Sequence, residues 1–260
     1  MPTIKHEGIH LAYSNQGSGT PAFVFVHGWT CDRTFFASQV AYFTPRHRVV
    51  TVDLRGHGES DKPTGPYPIT AYAEDLAYLI RHLALGQVIA VGHSMGGVAV
   101  LQLATTHPDC VAAIVMLDPA SFVRPPAVRA RLEVMVAAIE AGDQTLRREF
   151  LARHMFLPTS EKQLVEKVTG VMLAVPNHVA AQAMRGILAF DGPAVAAQCT
   201  TPALHIAATP PRNPPHLMEQ WLPHVVTGWT VGAGHFNFLE ATEQVNAMIV
   251  AFLRHYVSPA

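Results

Sequence analysis

The stretch Val88-Ile89-Ala90-Val91-Gly92-His93-Ser94-Met95-Gly96-Gly97-Val98-Ala99-Val100-Leu101-Gln102-Leu103-Ala104 decides the fold. Four β-branched or small apolar residues read as a buried strand, and the run from Met95 to His107 as a helix. Between them stands Gly-x-Ser-x-Gly, in which small residues at 92 and 96 leave room for neighbouring backbone in a sharp strand-to-helix turn. Such a turn strains Ser94 outward, and the helix N-terminus favours negative charge beside its Oγ. In that context Ser94 is a candidate nucleophile; outside it, the motif would describe a Gly-rich turn with a surface serine.

Working outward, apolar or β-branched runs recur at Phe23 to Val26, Val49 to Val52, Ile114 to Leu117, Ala203 to Ala207 and Val225 to Val231. Uninterrupted runs of this kind suit parallel strands covered on both faces. Helical patterns at Tyr72 to Leu85 and Thr242 to Tyr256 alternate with them, which predicts a doubly wound α/β domain. Ile4 to Asn15, centred on Gly8, reads as a hairpin entering the sheet. From Phe122 to about Gly192 the pattern is helical only, with segments at Val128 to Ala141, Gln144 to Phe156, Lys162 to Leu173 and Val179 to Phe190. That length is too great for a simple loop and predicts a helical cap over 122–191, inserted into a core made of 1–121 and 192–260.

Composition narrows the function classes. Of the 260 residues 49% are hydrophobic and 14% charged, and the net charge is −1 with 15 histidines. A chain of this kind folds on its own core. It has no Lys/Arg block, hence no electrostatic footprint for nucleic acid or an anionic membrane, and a small-molecule substrate is expected instead. Met1 to Glu7 lacks a signal-like apolar stretch and no run approaches the ~18 apolar residues of a span, so a cytoplasmic protein, monomer or homodimer, is expected. Cys31, Cys110 and Cys199 are odd in number and lack metal-ligand spacing; they read as reduced thiols, and no metal is expected.

Acyl chemistry also needs two preorganised N–H donors and a base. Phe23 to Val26 runs into His27-Gly28-Trp29, where the Trp29 N–H can join that of Met95 as an oxyanion hole. His235, in Gly234-His235-Phe236 after the last strand, is the candidate base.

With these residues placed, the chain resembles the α/β-hydrolase superfamily over almost its whole length. His27-Gly28-Trp29, Asp53-Leu54-Arg55-Gly56-His57-Gly58-Glu59-Ser60, Gly92-His93-Ser94-Met95-Gly96-Gly97 and Gly234-His235-Phe236 stand in the family's order. The resemblance implies a mostly parallel eight-stranded sheet flanked by helices, a cap after the sixth strand, and a Ser-His-acid triad that uses no cofactor. Serine at position 94, where the haloalkane dehalogenase and epoxide hydrolase branches carry Asp, points to acyl chemistry. His27, His57 and His93 usually shape loops in the family, and Asp53 and Asp191 read as structural.

The acid departs from the commonest pattern, because the loop Ala208-Thr209-Pro210-Pro211-Arg212-Asn213-Pro214-Pro215 holds no carboxylate before Glu219. Asp118, after the sixth strand, is the candidate, as in some branches of the family; Asn213 and Glu219 are alternatives. The role of Asp118 would be to fix the tautomer of His235 and stabilise the imidazolium, the alternative being that it only caps the turn into Pro119.

A hydrophobic pocket is expected from His27, Gly28, Trp29, Cys31, Phe122, Met135, Phe156, Met184 and Phe236. Arg124, Arg129 and Arg131 are among the cap arginines that could anchor a carboxylate, although exposed helix faces account for such residues as well. The expected activity is hydrolysis of a small hydrophobic carboxylic ester, lactone or thioester. Alternatives on the same fold are carbon–carbon bond hydrolysis, a non-catalytic small-molecule receptor, and a cofactor-free dioxygenase. Against the last, the place two residues past Trp29, where those enzymes carry a histidine, holds Cys31.

Overall fold

The computed structural model describes residues 2–257. Glu7 and Gly8 both take left-handed backbone angles (φ +48° and +83°), the geometry of a two-residue hairpin turn whose twist matches its strands. They join β1 (Thr3–His6) to β2 (Ile9–Gln16). The remaining strands are β3 (Phe23–Val26), β4 (Val49–Val52), β5 (Val88–His93), β6 (Val111–Leu117), β7 (Ala203–Ala207) and β8 (Val226–Trp229). All eight form one sheet in the order β1-β2-β4-β3-β5-β6-β7-β8. β1 and β2 pair antiparallel, as do β2 and β4, and every other pairing is parallel.

The helices are α1 (Ala37–Phe43), α2 (Ile69–His82), α3 (Met95–Thr106), α4 (Pro126–Glu140), α5 (Thr145–His154), α6 (Lys162–Ala174), α7 (Asn177–Ala189), α8 (Gly192–Ala196), α9 (Pro215–Trp221), α10 (Asn237–Glu240) and α11 (Thr242–Tyr256). β3, β4 and β5 are buried along their entire lengths, as their unbroken apolar runs require. In α3 every residue from Met95 to Ala104 is buried, which explains why its apolar residues do not segregate to one face. β8 is shorter than the apolar run around it and only half-buried, being the sheet edge. Five helices, the longer α4 to α7 and the short α8, intervene between β6 and β7; α1, α8, α9 and α10 are short segments that periodicity does not pick out.

β3 lies between β4 and β5, so the winding direction reverses there, and a crevice opens beyond the carboxyl ends of these strands. Gly28-Trp29 follows β3, Ser94 follows β5, Asp118 follows β6, and the loops after β7 and β8 carry Arg212 and His235.

Two buried ion pairs brace the amino-terminal half. Asp53, fully buried after β4, accepts from the Arg33 backbone N–H (2.7 Å) and guanidinium and from the Glu59 N–H (2.9 Å). Arg55 turns away from Asp53 to form a two-pronged pair with Asp75 of α2 (2.6 and 2.7 Å), whose Oδ1 also meets His6 Nδ1. Removing one partner of such a pair strands a buried charge. Asp75→Ala is therefore expected to cost about 3–5 kcal/mol, read as a lower midpoint in urea unfolding; a change within 0.5 kcal/mol, the usual range for surface sites, would contradict it.

Candidate active site

Ser94 has φ +52° and ψ −112°, a conformation that L-residues seldom adopt and that costs of order 1–3 kcal/mol. Packing enforces it. A Cβ at Gly92 would run into the Gly96 carbonyl, and one at Gly96 into the Val26 carbonyl at the end of β3. The turn thus presses against backbone on both sides, and Ser94 is held with its N–H on the Leu117 carbonyl (3.1 Å) and its carbonyl accepting from Val98 and Ala120. Met95 heads α3, so its N–H has no intrahelical acceptor. The Trp29 N–H, in the turn after β3, has no acceptor among the described residues.

His235 Nδ1 lies 2.6 Å from Asp118 Oδ2. Both residues are buried. Asp118, itself left-handed at φ +37°, is anchored by its N–H on the Ile206 carbonyl of β7 and by Oδ1 accepting from the Arg212 N–H (3.1 Å). Burial pushes the Asp118 carboxyl above its ordinary value, against the pull of the Arg212 charge and N–H. Burial and the same guanidinium hold the His235 imidazole well below 6.5, so it is neutral at pH 7. The alternatives for the acid lie elsewhere. Asn213 clasps the β6 loop, accepting from the Phe122 N–H (2.7 Å) and donating to Pro119 O (2.8 Å), while Glu219 is exposed on α9.

The loop around His235 is held by two residues that no motif announces. Glu240 accepts from the Gly234 N–H (2.9 Å), and the His235 N–H donates to the Met155 carbonyl just beyond α5 (3.2 Å). His93 contributes an Nε2–H to the His235 carbonyl at 2.9 Å. His27 donates from Nδ1 to Gly28 O and accepts the Leu54 N–H at Nε2, so both its nitrogens are committed to the loop.

Ser94 and His235 open into one cavity of about 220 Å³, bounded by the carboxyl edge of the sheet and by α4 to α7. Of the residues expected in a pocket, Trp29, Cys31, Met184 and Phe236 line it. Five other expected lining residues do not. His27 is behind the β3 turn, and Gly28 packs against His93 and the Ser94 Cβ. Phe122 stacks on Trp221 under α9, Met135 faces a neighbouring cavity between α4 and α5, and Phe156 stacks on Phe236 beside a recess behind His235. An apolar helical face cannot say which neighbour it meets. The sequence reading passes over Arg212, whose one signal is that it is the lone cation in the loop where a carboxylate is usually sought. Its guanidinium Nε lies 2.8 Å from His235 Nδ1 and 3.7 Å from Asp118 Oδ2. Among the described residues, no group of three or more His, Cys, Asp or Glu side chains is placed to hold a metal ion, and no helix is long and apolar enough to cross a membrane.

A family model described as alpha/beta hydrolase fold matches residues 21–242, and the chain belongs to that family. Within it, the chain is 38% identical over 136 residues to 2-(acetamidomethylene)succinate hydrolase of Mesorhizobium japonicum, covering 52% of this chain and 47% of that protein. It is 32% identical over 170 residues to lipase LipV of Mycobacterium tuberculosis, covering 65% and 64%. Each match spans less than two thirds of the relative's length. Among solved structures, a thermophilic esterase from Thermogutta terrifontis superposes with a TM-score of 0.87 at 25% identity, over 98% of this chain and 97% of that one. The enol-lactonase of Burkholderia xenovorans does so at 0.86 and 23%, over 98% and 100%, a likeness of fold.

Four buried histidines, together with His235, set an acid limit on stability. Burial lowers His27 and His93, takes His57 to about 3 and takes His205, on β7, to about 4. The unfolded chain takes up these protons near 6.5 while the native protein does not, so the unfolded state binds more protons below that pH. Stability is expected to decline as pH falls from about 6.5 toward 4, and the urea midpoint at pH 5 to lie below that at pH 7.5; equal midpoints would contradict this.

Proposed function

We propose that the protein is a serine hydrolase that cleaves a small carboxylic ester, lactone or thioester through an acyl-enzyme on Ser94. The observation that carries this reading is the 2.6 Å contact between His235 Nδ1 and Asp118 Oδ2, made beside a serine strained into the same cavity. With Nδ1–H donated to Asp118, the imidazole keeps a lone pair on Nε2, the tautomer a general base requires. His235 takes the Ser94 proton as Oγ attacks the carbonyl carbon. The tetrahedral oxyanion is received by the Trp29 and Met95 N–H groups, which need no reorganisation as charge develops. Collapse breaks the bond to the leaving group, which takes the proton from His235. Water, deprotonated by the same histidine, then releases the acid and regenerates Ser94.

Burial and the Arg212 charge keep His235 neutral at pH 7, the form that accepts the proton. The helices between β6 and β7 act, on this reading, as a cap over residues 122–191 that excludes water from the acyl-enzyme, with 1–121 and 192–260 as the catalytic core. Esterase and hydrolase names among the relatives support acyl chemistry.

One experiment tests the assignment: treatment with a fluorophosphonate probe in parallel with hydrolysis of short 4-nitrophenyl esters. Wild type is expected to label and turn over, Ser94→Ala to do neither, and Asp118→Asn to lose turnover by something on the order of 10⁴-fold, the loss found when a triad acid is neutralised. A wild type that neither labels nor hydrolyses, or an Asp118→Asn variant with near-normal turnover, would contradict it.

A further inference from the structure

The cavity that holds Ser94 is apolar over most of its wall but carries an unbalanced charge. Arg124, just before α4, and Arg212 both line it, with Arg131 of α4 exposed at its rim. Among the described residues no aspartate or glutamate faces the cavity. Arg124 has no carboxylate within ion-pair distance among those residues, and its sole hydrogen-bond acceptor is the Ile187 carbonyl at a long 3.5 Å. Burial, together with the Arg212 and Arg129 charges, lowers Arg124 to about 10, so it remains charged at neutral pH.

Arg212 is also short of acceptors. Nδ1 of His235 offers one site in the ring plane, and when it donates to Asp118 it cannot accept the Arg212 Nε–H at 2.8 Å. The other contacts of this guanidinium are the His154 carbonyl (3.0 Å), the Met155 sulfur (3.4 Å) and the already committed Asp118 at 3.7 Å. Two guanidinium groups that share one small cavity and lack free acceptors call for an anion, and the planar fork of arginine matches a carboxylate.

We propose that the cavity binds a carboxylate carried by the substrate, held by Arg124 and Arg212, so that the compound cleaved at Ser94 is an acidic ester, lactone or thioester. This rests on the reading of Ser94 as the acyl-transfer nucleophile. It also makes Arg124 a specificity-determining residue in place of a purely apolar acyl pocket. Were the apolar wall alone in control, a terminal methyl group would be preferred over a carboxylate.

Two matched pairs test it: monoethyl succinate against ethyl butyrate, with the anion on the acyl side, and 3-acetoxypropanoate against propyl acetate, with the anion on the alcohol side. At least one pair is expected to favour the acidic member at least tenfold in kcat/KM, followed by NMR of the released alcohol, and Arg124→Gln to bring that ratio down toward one. Ratios near or below one in both pairs, or an unchanged ratio in a folded Arg124→Gln protein, would overturn the proposal. Calorimetric binding of the same compounds to Ser94→Ala needs neither turnover nor the arginine variant. There, tenfold tighter binding of the acidic member upholds the anion site even if wild type hydrolyses nothing, in which case the hydrolase reading alone falls. Equal binding overturns the anion site whatever the turnover.

Discussion

The crowding of backbone around residue 94 is the constraint on which the rest of the site depends. The Val26 carbonyl at the end of β3, the Gly96 carbonyl in the first turn of α3 and the chain at Gly92 approach so closely that no Cβ fits at 92 or 96. Ser94 is left with φ +52°, and tertiary packing outweighs a local cost of about 1–3 kcal/mol. The same proximity brings the turn after β3, with the Trp29 N–H, to the amino end of α3, with the Met95 N–H. Sheet order produces this, because β3 and β5 are neighbours while the chain between them visits β4 and α2.

The electrostatics follow from burial at this edge. Asp118, His235 and Arg212 come from the ends of three different connections and meet where little water enters. Each is shifted toward its neutral form by burial. Loop contacts in place of a helix or strand set their geometry: the Asn213 clasp on the β6 loop, the Arg212 N–H on Asp118, and Glu240 and the Met155 carbonyl on the His235 loop. Met155 lies just past α5, so the helices between β6 and β7 are mechanically tied to the histidine. Trp29 is tied to them as well, through its indole N–H on the Ala180 carbonyl (2.8 Å) and the Arg147 cation 5.4 Å from its ring centre.

How much of this could be read from the chain alone follows the range of the forces involved. The parallel strands announce themselves as apolar runs at β3 to β7, and the elbow as Gly-x-Ser-x-Gly between one such run and α3, because burial and steric exclusion act on adjacent residues. Asp118 as the partner of His235 was one of the arrangements the family resemblance implied, with Asn213 and Glu219 left as alternatives, because no carboxylate follows β7 before Glu219. Which apolar residues face the cavity was not accessible. Phe122 and Met135 have the same composition signal as Met184, yet pack under α9 and between α4 and α5, a matter of how helices rotate against one another. Arg212 was missed for a related reason: a Pro-rich loop has no periodicity from which to infer where a side chain points.

The central claim is that Ser94 becomes acylated during turnover, and trapping that ester tests it most directly. Intact-protein mass spectrometry of the wild type mixed with an activated short-chain ester and quenched in acid during turnover is expected to reveal one added acyl group, mapped by proteolysis to the peptide containing Ser94, and Ser94→Ala to carry none. A wild type that hydrolyses the ester without ever carrying an acyl group on Ser94 would contradict the account.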